Sequence, residues 1–425
     1  MGKYYYRTRF CFYRYWKSDD YKTKQTIYRT AYIVYRWTCS SDRIWCGVWH
    51  TDDSVIYYAR VAFMKDTYIQ TKNTLLKTLY TTGIKPLLFL QDPETIHDAT
   101  IACGTYLGRF ACARFGIQKV FDFEDPILSQ TYKGIVFRNP IGLSAGFDKN
   151  AELTAIIPSI GFGFEEIGSV TAQPCEGNQR LRLWRLIKEE SIRVHYGLKN
   201  DGADAICARI KDEKISVPIG ISIAKTNCKE TCDSDAGIQD YLYSFKRFQY
   251  TGDYITLNIS CPNAYGGMPF NTPDLLEGLL KRVRSIPVSK LVFLKISPDL
   301  SKETLNTIID IARTYTIDGF VVSNLTKRAG EVGGLSGSYV RTISTELISY
   351  IYKHTQGRSL IIGSGGIMNA HDAYEKIQHG ASLLQMITGL IYRGPQVVGE
   401  INHGLSALLC RDGYMNIREA VGVRA

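Results

Sequence analysis

The sequence predicts an α/β fold, a (β/α)8 TIM barrel preceded by a small N-terminal helical cap. Eight short apolar runs rich in Val, Ile and Leu recur along the chain, with segments of helical length between them. Buried strands that alternate with helices are typical of a parallel sheet, and eight such units close into a barrel. The 425 residues suffice for one barrel and a small accessory region. Polar and Gly-rich clusters also follow these runs, at the strand ends where barrels carry their chemistry.

The predicted strands come in eight segments, with a hairpin predicted just before them across Ile127–Arg138. The strands are Ile141–Ala145, Phe164–Val170, Pro218–Ala224, Tyr254–Ser260, Leu291–Ser297, Gly319–Ser323, Leu360–Gly363 and Leu383–Thr388. We therefore predict three regions: an atypical extension over 1–63, a helical cap over 64–118 and the barrel over 119–425.

The first 63 residues differ in composition from the rest. They contain no Leu, Pro, Glu or Asn, yet they hold eleven of the 28 Tyr and four of the five Trp. Globular helices are rarely built from such a composition. An organelle-targeting presequence is an alternative for an Arg-rich start, but such segments are not crowded with aromatic residues. We favour the hypothesis that the functional chain begins at Met64 and that residues 1–63 are an upstream extension.

The cap is predicted as two short helices, one over Asn73–Thr81 and one beginning at Asp92-Pro93-Glu94. Asp92 suits an N-cap and Pro93 the first helical position. An apolar stripe follows at helical spacing: Ile96, Ala99, Cys103, Leu107 and Phe110. Two interpretations remain open for this stripe. It packs on its own domain, or it meets a membrane surface or an apolar ligand tunnel.

The net charge of +10 does not indicate a nucleic-acid partner. Residues 1–63 carry 11 basic and 5 acidic side chains, so the other 362 residues hold 40 basic and 36 acidic ones, a balance of only +4. The eleven cysteines are scattered without redox-motif or zinc-ligand spacing, so we expect free thiols and no metal site. No run is long enough to span a bilayer. Any membrane contact is expected to be peripheral.

The strand ends carry small and cationic residues. The first strand runs into Ser144-Ala145-Gly146-Phe147-Asp148-Lys149, the second ends in Gly168-Ser169 and the sixth in Ser323-Asn324. Small residues let a flat ring or a phosphate approach the backbone, although barrel loops often carry Gly and Lys for other reasons. Lys295, on the fifth strand, is expected to be a ligand contact, because a buried ammonium is costly without a negative partner.

Two Gly-rich loops follow the sixth and seventh strands. They read Gly333-Gly334-Leu335-Ser336-Gly337 and Gly363-Ser364-Gly365-Gly366. Barrels often bind phosphate in their last two loops, where bare N–H groups and a helix N-terminus face the anion. Plain tight turns are the alternative interpretation. Neither a P-loop nor a Rossmann glycine pattern is present, which argues against an NTPase and a dinucleotide site.

The sharpest motif ends the fourth strand: Asn258-Ile259-Ser260-Cys261-Pro262-Asn263. Two amides flank a titratable thiol, and a proline stiffens the turn. A buried, inert cysteine is the usual alternative. Its place at a strand end between two Asn favours a functional thiol.

Together these motifs resemble those of the class 2, quinone-dependent dihydroorotate dehydrogenases. The resemblance covers about residues 70–425 and keeps the family's order of motifs. Besides Asn258–Asn263, it rests on Gly142–Lys149, Glu166–Thr171, Gly333–Gly337, Asp92–His97 and Glu176–Arg185. The last two segments are similar to class 2 in particular, whose helical cap admits a membrane quinone.

The resemblance implies FMN-dependent oxidation of dihydroorotate to orotate, a step of pyrimidine biosynthesis, with electrons passed to a membrane quinone. Cys261 would be the general base that removes the C5 proton while hydride passes from C6 to flavin N5. The substrate would be held by Lys149, Tyr196, Gly197, Leu198, Asn258, Asn263 and Asn324. FMN would be held by Ala145, Gly146, Ser169, Ser222, Asn258, Lys295, Ser323, Ser336, Gly337, Gly365, Gly366, Ile387 and Thr388. His97 and Arg185 would border the quinone tunnel.

Three positions depart from the class 2 pattern. Cys261 stands where class 2 members usually have Ser, and a thiol is far easier to deprotonate near neutrality. Val194 and Ser222 stand where Asn is usual, and His195, Lys199 or Asn200 is a candidate to compensate. Other functions stay open: a related FMN barrel that reduces another pyrimidine-like ring, or one that passes electrons to a soluble acceptor, which the cap argues against. Val194 and Ser222 also motivate a non-catalytic flavin-binding barrel. The expected location is the periphery of the cytoplasmic face of the cell membrane, with the mitochondrial inner membrane as the alternative.

Overall fold

A computed structural model describes the backbone of residues 53–425, except positions 212 and 214. Side chains are described from residue 64 onward, with those two positions and 269 left out. The prediction of an extension over residues 1–63 therefore lies mostly outside the described residues. By its contacts, the chain divides into two compact units, Met1–Leu76 and Lys77–Ala425.

The first described helix is longer than the sequence predicts. Helix α1 runs over Asp53–Thr78, a π-helical turn follows over Leu79–Ile84, and α2 spans Lys85–Phe89. The predicted helix Asn73–Thr81 was therefore wrong at both ends. No Gly or Pro interrupts the chain between 53 and 82, and Pro86 falls in the first turn of α2, where its missing N–H costs little.

Two further helices complete the cap, α3 over Pro93–Gly108 and α4 over Ala111–Phe121. The predicted N-cap is confirmed, because the Asp92 carboxylate accepts a hydrogen bond of 2.8 Å from the backbone N–H of Thr95. Helices α2 to α4 belong to the same compact unit as the barrel.

The apolar stripe predicted on α3 does not form its docking face. Ala99, Cys103 and Phe110 are exposed, and Leu107 is only half-buried against the core. The face that meets the barrel side instead carries Ile101 together with two small residues. A Cβ on Gly104 would lie 2.5 Å from Leu153, and one on Gly108 would lie 3.4 Å from Ala155. The helix docks by close approach rather than by its most apolar side.

The predicted eight-stranded barrel is confirmed. The barrel strands are β3 Ile141–Leu143, β4 Phe164–Val170, β7 Ile219–Ile223, β8 Tyr254–Asn258, β9 Leu291–Lys295, β10 Gly319–Val322, β12 Leu360–Ser364 and β13 Leu383–Met386. They close in the order β10-β12-β13-β3-β4-β7-β8-β9, and every neighbouring pair is parallel. Most predicted strands extended one or two residues too far at an end. At Thr388, two residues after the last strand ends, a helix begins instead.

Helices cover the outside of the barrel, and two small sheets lie beside it. The helices are α5 Ile157–Ile160, α6 Ala203–Ile210, α7 Ser234–Arg247, α8 Pro273–Arg284, α9 Lys302–Thr314, α10 Arg341–His354, α11 Ala370–Gln378, α12 Thr388–Arg393 and α13 Val397–Arg411. The antiparallel pair is β1 Gln130–Tyr132 with β2 Ile135–Phe137, which confirms the predicted hairpin. A second antiparallel sheet joins β5 Leu183–Leu186, β6 Ser191–Val194 and β11 Gly334–Gly337.

Aromatic rings fill one end of the barrel. Phe137 of the hairpin, Phe164, Tyr254 and Phe293 form a run of edge-to-face contacts with centroids 5.4 to 6.4 Å apart. Such edge-to-face pairs add to the apolar burial of the rings. The rings fit because Gly142 and Gly220 have no side chains: a Cβ on either would lie 2.4 Å or less from Phe164 or Tyr254. These rings do not occupy the interior at the opposite end of the barrel, where the strands have their carboxyl ends.

Gly220→Ala is expected to lower the free energy of unfolding by about 3 kcal/mol, because the new methyl group overlaps the buried Tyr254 ring. Urea unfolding followed by circular dichroism measures this change. Gly116→Ala is the control: it lies in helix α4 with nothing within 4 Å, and it should gain up to about 1 kcal/mol. Equal stability of Gly220→Ala and the unsubstituted protein would contradict this account of the barrel core.

Candidate active site

A cavity that is open to solvent lies at the carboxyl ends of the barrel strands. All but two of the predicted site residues line it. They are His97, Ala145, Gly146, Lys149, Ser169, Tyr196, Gly197, Leu198, Asn258, Cys261, Asn263, Lys295, Ser323, Asn324, Ser336, Gly337, Gly365, Gly366, Ile387 and Thr388. The topology brings them together because all eight strands of a parallel barrel end on one side.

The predicted residues that lie elsewhere are Ser222 and Arg185. Ser222 is fully buried behind Ser169, and their hydroxyl oxygens are 2.8 Å apart. Arg185 stands on β5 and donates to the carbonyl of Gln91 at 2.8 Å, with its guanidinium 4.6 Å from the Phe89 ring. Arg185 therefore contacts the loop between α2 and α3, at the cap.

The motif after β8 is held by a network of hydrogen bonds. Asn258 donates to the Ser169 hydroxyl at 2.8 Å and accepts from the backbone N–H and hydroxyl of Ser260. Asn324, after β10, donates to the carbonyl and hydroxyl oxygens of Ser260 at 2.9 and 3.0 Å. Both amides are thus oriented before any ligand arrives, which lowers the cost of binding.

Cys261 is partly buried at the cavity wall. Burial raises the pKa of its thiol. The backbone N–H groups of Asn263 and Ala264, together with the charges of Lys225 and Lys295, oppose that rise. The thiol is therefore neutral near pH 7 in the ligand-free protein, with donors and cations placed to stabilise its thiolate.

Lys295 ends β9 directly beside Asn258 of β8. Its side chain is buried, and it lines the cavity. Burial lowers the pKa of Lys295, whereas the nearby carboxylate of Glu166 and the Cys261 sulfur raise it. A buried cation in this state favours an anionic ligand.

Lys149 lies on the opposite wall, between His97 and Tyr196. Its ammonium is 3.3 Å from His97 Nε2 and 4.2 Å from the centre of the Tyr196 ring. Burial lowers the pKa of Lys149 to about 8. Burial, and then the charge of Lys149, lower the pKa of His97 to about 4. At pH 7 the pair therefore carries one positive charge, on the lysine.

The Gly-rich loops form the third wall. Gly337, Gly365 and Gly366 all have positive φ angles, of 84°, 101° and 73°. A Cβ on Gly365 or Gly366 would overlap Val340 or Arg341, so these loops need glycine for packing as well as for backbone conformation. The hydroxyls of Ser336 and Thr388 are 2.7 Å apart, at the point where α12 begins.

Val194 and the three residues that are candidates to compensate for it lie in different places. Val194 lines the cavity with its apolar side chain. Lys199 also lines it. Asn200 is buried and bonds to Thr171, Leu198 and Gly202, so it holds the backbone of its own loop. His195 contacts Asn263 from outside the cavity.

Sequence reasoning missed the buried ion pair that joins the cap to this site. Arg182 Nη2 lies 2.7 Å from Glu94 Oε1, and both side chains are buried. The same guanidinium donates to the carbonyls of Glu176 and Asn178 and lies 5.1 Å from the Tyr196 ring. The Glu94 and Arg182 positions are 88 residues apart. No local pattern could have linked them.

Gln385 was also missed. It lines the cavity from β13 and donates at 2.8 Å to the buried carboxylate of Glu166, which also accepts from Tyr254 and Thr256. This carboxylate lies deep in the barrel, near Lys295. In the sequence, this carboxylate is marked only by a charged residue, Glu166, inside an otherwise apolar strand.

A cationic, glycine-rich site at the carboxyl ends of eight parallel strands is typical of TIM-barrel enzymes. Comparison with known proteins narrows the class. Residues 127–409 match the family model described as dihydroorotate dehydrogenase. A relative from Gloeobacter violaceus, named dihydroorotate dehydrogenase (quinone), is 38% identical over 80% of this chain and 97% of its own length. One from Halobacterium salinarum, of the same name, is 37% identical over 80% and 98%.

Solved structures agree with this match. The dihydroorotate dehydrogenase of Eimeria tenella in complex with ferulenol has a TM-score of 0.70 and 31% identity, over 78% of this chain and 95% of that one. Its ligand-free form has a TM-score of 0.69 over 78% and 99%. The chain therefore belongs to the dihydroorotate dehydrogenase family. The expectations of the family, of an enzyme and of its TM barrel are confirmed.

Glu94→Gln is expected to loosen α3 from the barrel, because it leaves the Arg182 guanidinium buried without its carboxylate. Loss of one member of a buried pair costs about 3 to 5 kcal/mol. Hydrogen exchange of the α3 amides, read by mass spectrometry, measures the change locally. Arg180→Gln is the control, since Arg180 meets the same carboxylate at 3.5 Å but is 64% exposed. Similar protection of α3 in both variants would show that the ion pair does not hold the cap.

Proposed function

We propose that this protein oxidises dihydroorotate to orotate, with FMN bound in the barrel mouth and a quinone as the final electron acceptor. One observation carries the proposal: the Cys261 thiol and the buried Lys295 ammonium line one cavity, at the ends of neighbouring strands. The thiolate form of a cysteine can take up a proton from the substrate. A fixed cation can stabilise negative charge on an adjoining ring. The relatives named dihydroorotate dehydrogenase (quinone) support the choice of substrate and acceptor.

The residues of the cavity fit both the ring and the phosphate of FMN. Lys295 is a buried cation that lines the cavity, and the buried Ser323 hydroxyl has no hydrogen-bond partner among the described residues. Both would be satisfied by the polar edge of a flavin ring. The backbone of Gly337, Gly365 and Gly366 and the start of α12 at Thr388 would hold the phosphate. When bound, FMN supplies the ring that accepts a hydride from the substrate.

Cys261 serves as the general base in this proposal. The thiol first loses its own proton to solvent, and the thiolate, stabilised by the charges of Lys295 and Lys225, then takes the proton that dihydroorotate releases. A cysteine therefore does the work that class 2 relatives give to serine, at a lower cost of deprotonation.

Cations and amides around the cavity hold the substrate in this proposal. Lys149 binds its carboxylate, since the Lys149 ammonium stays charged below about pH 8. Asn258, Asn263 and Asn324 bind the ring edge. The segment Tyr196, Gly197 and Leu198 covers it and excludes water.

The cap gives access to the quinone. Helices α2 to α4 expose large apolar side chains, among them Leu87, Leu90, Phe110 and Phe115. Together with the exposed stripe of α3, they favour contact with a membrane surface and an apolar quinone. Among the described helices, none combines the length and apolarity needed to cross a bilayer. We therefore propose peripheral attachment, on the cytoplasmic face of the cell membrane or at the mitochondrial inner membrane, with His97 and Arg185 at the quinone path.

Dihydroorotate is expected to bleach the flavin absorption of the anaerobic holoenzyme. Cys261→Ala should keep its yellow colour but bleach at least 100-fold more slowly, since a positioned base contributes that much. Stopped-flow absorption measures both rates. Cys103→Ala, on the exposed face of α3, is the control and should bleach normally. A colourless protein would exclude a flavin enzyme, and a yellow one that never bleaches would favour the non-catalytic flavin barrel.

The rate of flavin reduction at saturating dihydroorotate should rise with pH through the pKa of Cys261, because only the thiolate accepts a proton. Burial raises that pKa, so the rate at pH 7 should be a minor fraction of its maximum. In Cys261→Ser, whose hydroxyl is much harder to deprotonate, the rate should still be rising at the highest pH tested and should be at least tenfold lower at pH 7. Coincident profiles for the two proteins would exclude the thiol as the base.

A further inference from the structure

Four side chains form a hydrogen-bonded row beside the cavity that the roles above leave unexplained. Asn227 Nδ2 donates to Asn178 Oδ1 at 3.2 Å, and Asn178 Nδ2 lies 3.1 Å from His195 Nε2. His195 Nδ1 lies 3.3 Å from Asn263 Oδ1. The row thus ends on an amide of the motif that carries Cys261.

The partners fix which nitrogen of His195 holds the proton. Asn263 Nδ2 donates to the carbonyl of Val194 at 2.9 Å, so the Asn263 oxygen faces His195 Nδ1 and can only accept. Asn178 accepts from Asn227 through its oxygen, so its nitrogen faces His195 Nε2 and can only donate. The neutral ring with hydrogen on Nδ1 satisfies every contact in the row.

Asn178 ties the same group together through further bonds. Its Nδ2 also lies 3.1 Å from the carbonyls of His195 and Asn263, and its backbone N–H donates to the carbonyl of Tyr196 at 2.9 Å. A Cβ on Gly197 would lie 2.4 Å from Asn178 Oδ1, so this loop packs directly on the amide. The strand-end motif and the covering segment are therefore held by one side chain.

Asn263 faces the cavity, whereas His195 does not line it. With Asn263 Oδ1 accepting from His195 and Nδ2 donating to Val194, one lone pair and one hydrogen remain for a ligand. The neighbouring Val194 side chain offers neither. An amide held in one orientation presents a fixed donor and a fixed acceptor.

We propose that His195 and Asn178 are positioning residues that hold the Asn263 amide for a planar ring with an adjoining N–H and C=O. The inference rests on the proposed function for the identity of that ring. It explains how the chain binds its substrate without an amide at position 194: the row orders a neighbouring amide instead.

The experiment compares His195→Asn with His195→Leu in the FMN-loaded enzyme. Orotate binding is measured by its change of the flavin absorption spectrum, alongside FMN content and steady-state kinetics. Leu removes the Nδ1 donor and should raise the dissociation constant for orotate about tenfold or more. Asn keeps a donor near the Nδ1 position and should stay within about threefold of the unsubstituted enzyme. KM for dihydroorotate should follow the same order while kcat and FMN content change little.

Asn178→Leu tests the row from its other side. It keeps about the size of the side chain but removes the amide that faces His195 Nε2, and it should weaken orotate binding by about the same factor as His195→Leu. Normal orotate binding in both His195→Leu and Asn178→Leu would overturn the inference. Equal weakening in His195→Asn and His195→Leu would also overturn it, since packing alone would then matter. Failure of the proposed function looks different, because the unsubstituted holoenzyme itself would then bind no orotate.

Discussion

The buried ion pair of Glu94 with Arg182 is the contact on which the arrangement of the site depends. Taking two charges out of water is costly, and the cost is repaid only where both groups find all their partners. Arg182 does so by reaching the cap carboxylate on one side and the carbonyls of Glu176 and Asn178 on the other. One guanidinium thus fixes the cap helix and the Asn178 loop together. His97 and Lys149 meet only because that helix is in place.

The architecture could be predicted from the sequence because the strands are continuous apolar runs and the helices between them are amphipathic. The N-cap Asp92 and the motifs that follow the barrel strands were also readable, since capping and strand-end chemistry are local, although most strand ends were placed one or two residues too late. The docking face of α3 was not, because it is made by Gly104, Gly108 and a charged residue rather than by the apolar stripe. Hydrophobic periodicity does not show where two elements approach each other closely, nor which charges pair over a long distance in the sequence.

The residues of the candidate site divide in the same way, into those that a local motif marks and those whose contacts depend on the fold. Residues within a motif, such as those between Asn258 and Asn263, were found because the motif itself marks a strand end. Ser222 was expected to contact the flavin, but it is buried beside the Ser169 hydroxyl and does not line the cavity. His195 is the converse case. In the sequence it is only the neighbour of Val194, and the fold shows that it contacts Asn263 in the motif after β8.

The aromatic filling of the barrel has a consequence for traffic. With Phe137 of the hairpin and the rings above it closing one end, every molecule that enters must leave on the side where it came in. Reductant and oxidant cannot pass straight through the protein. They must take turns at a shared opening or approach the site from different sides, because a barrel closed at one end leaves no second exit.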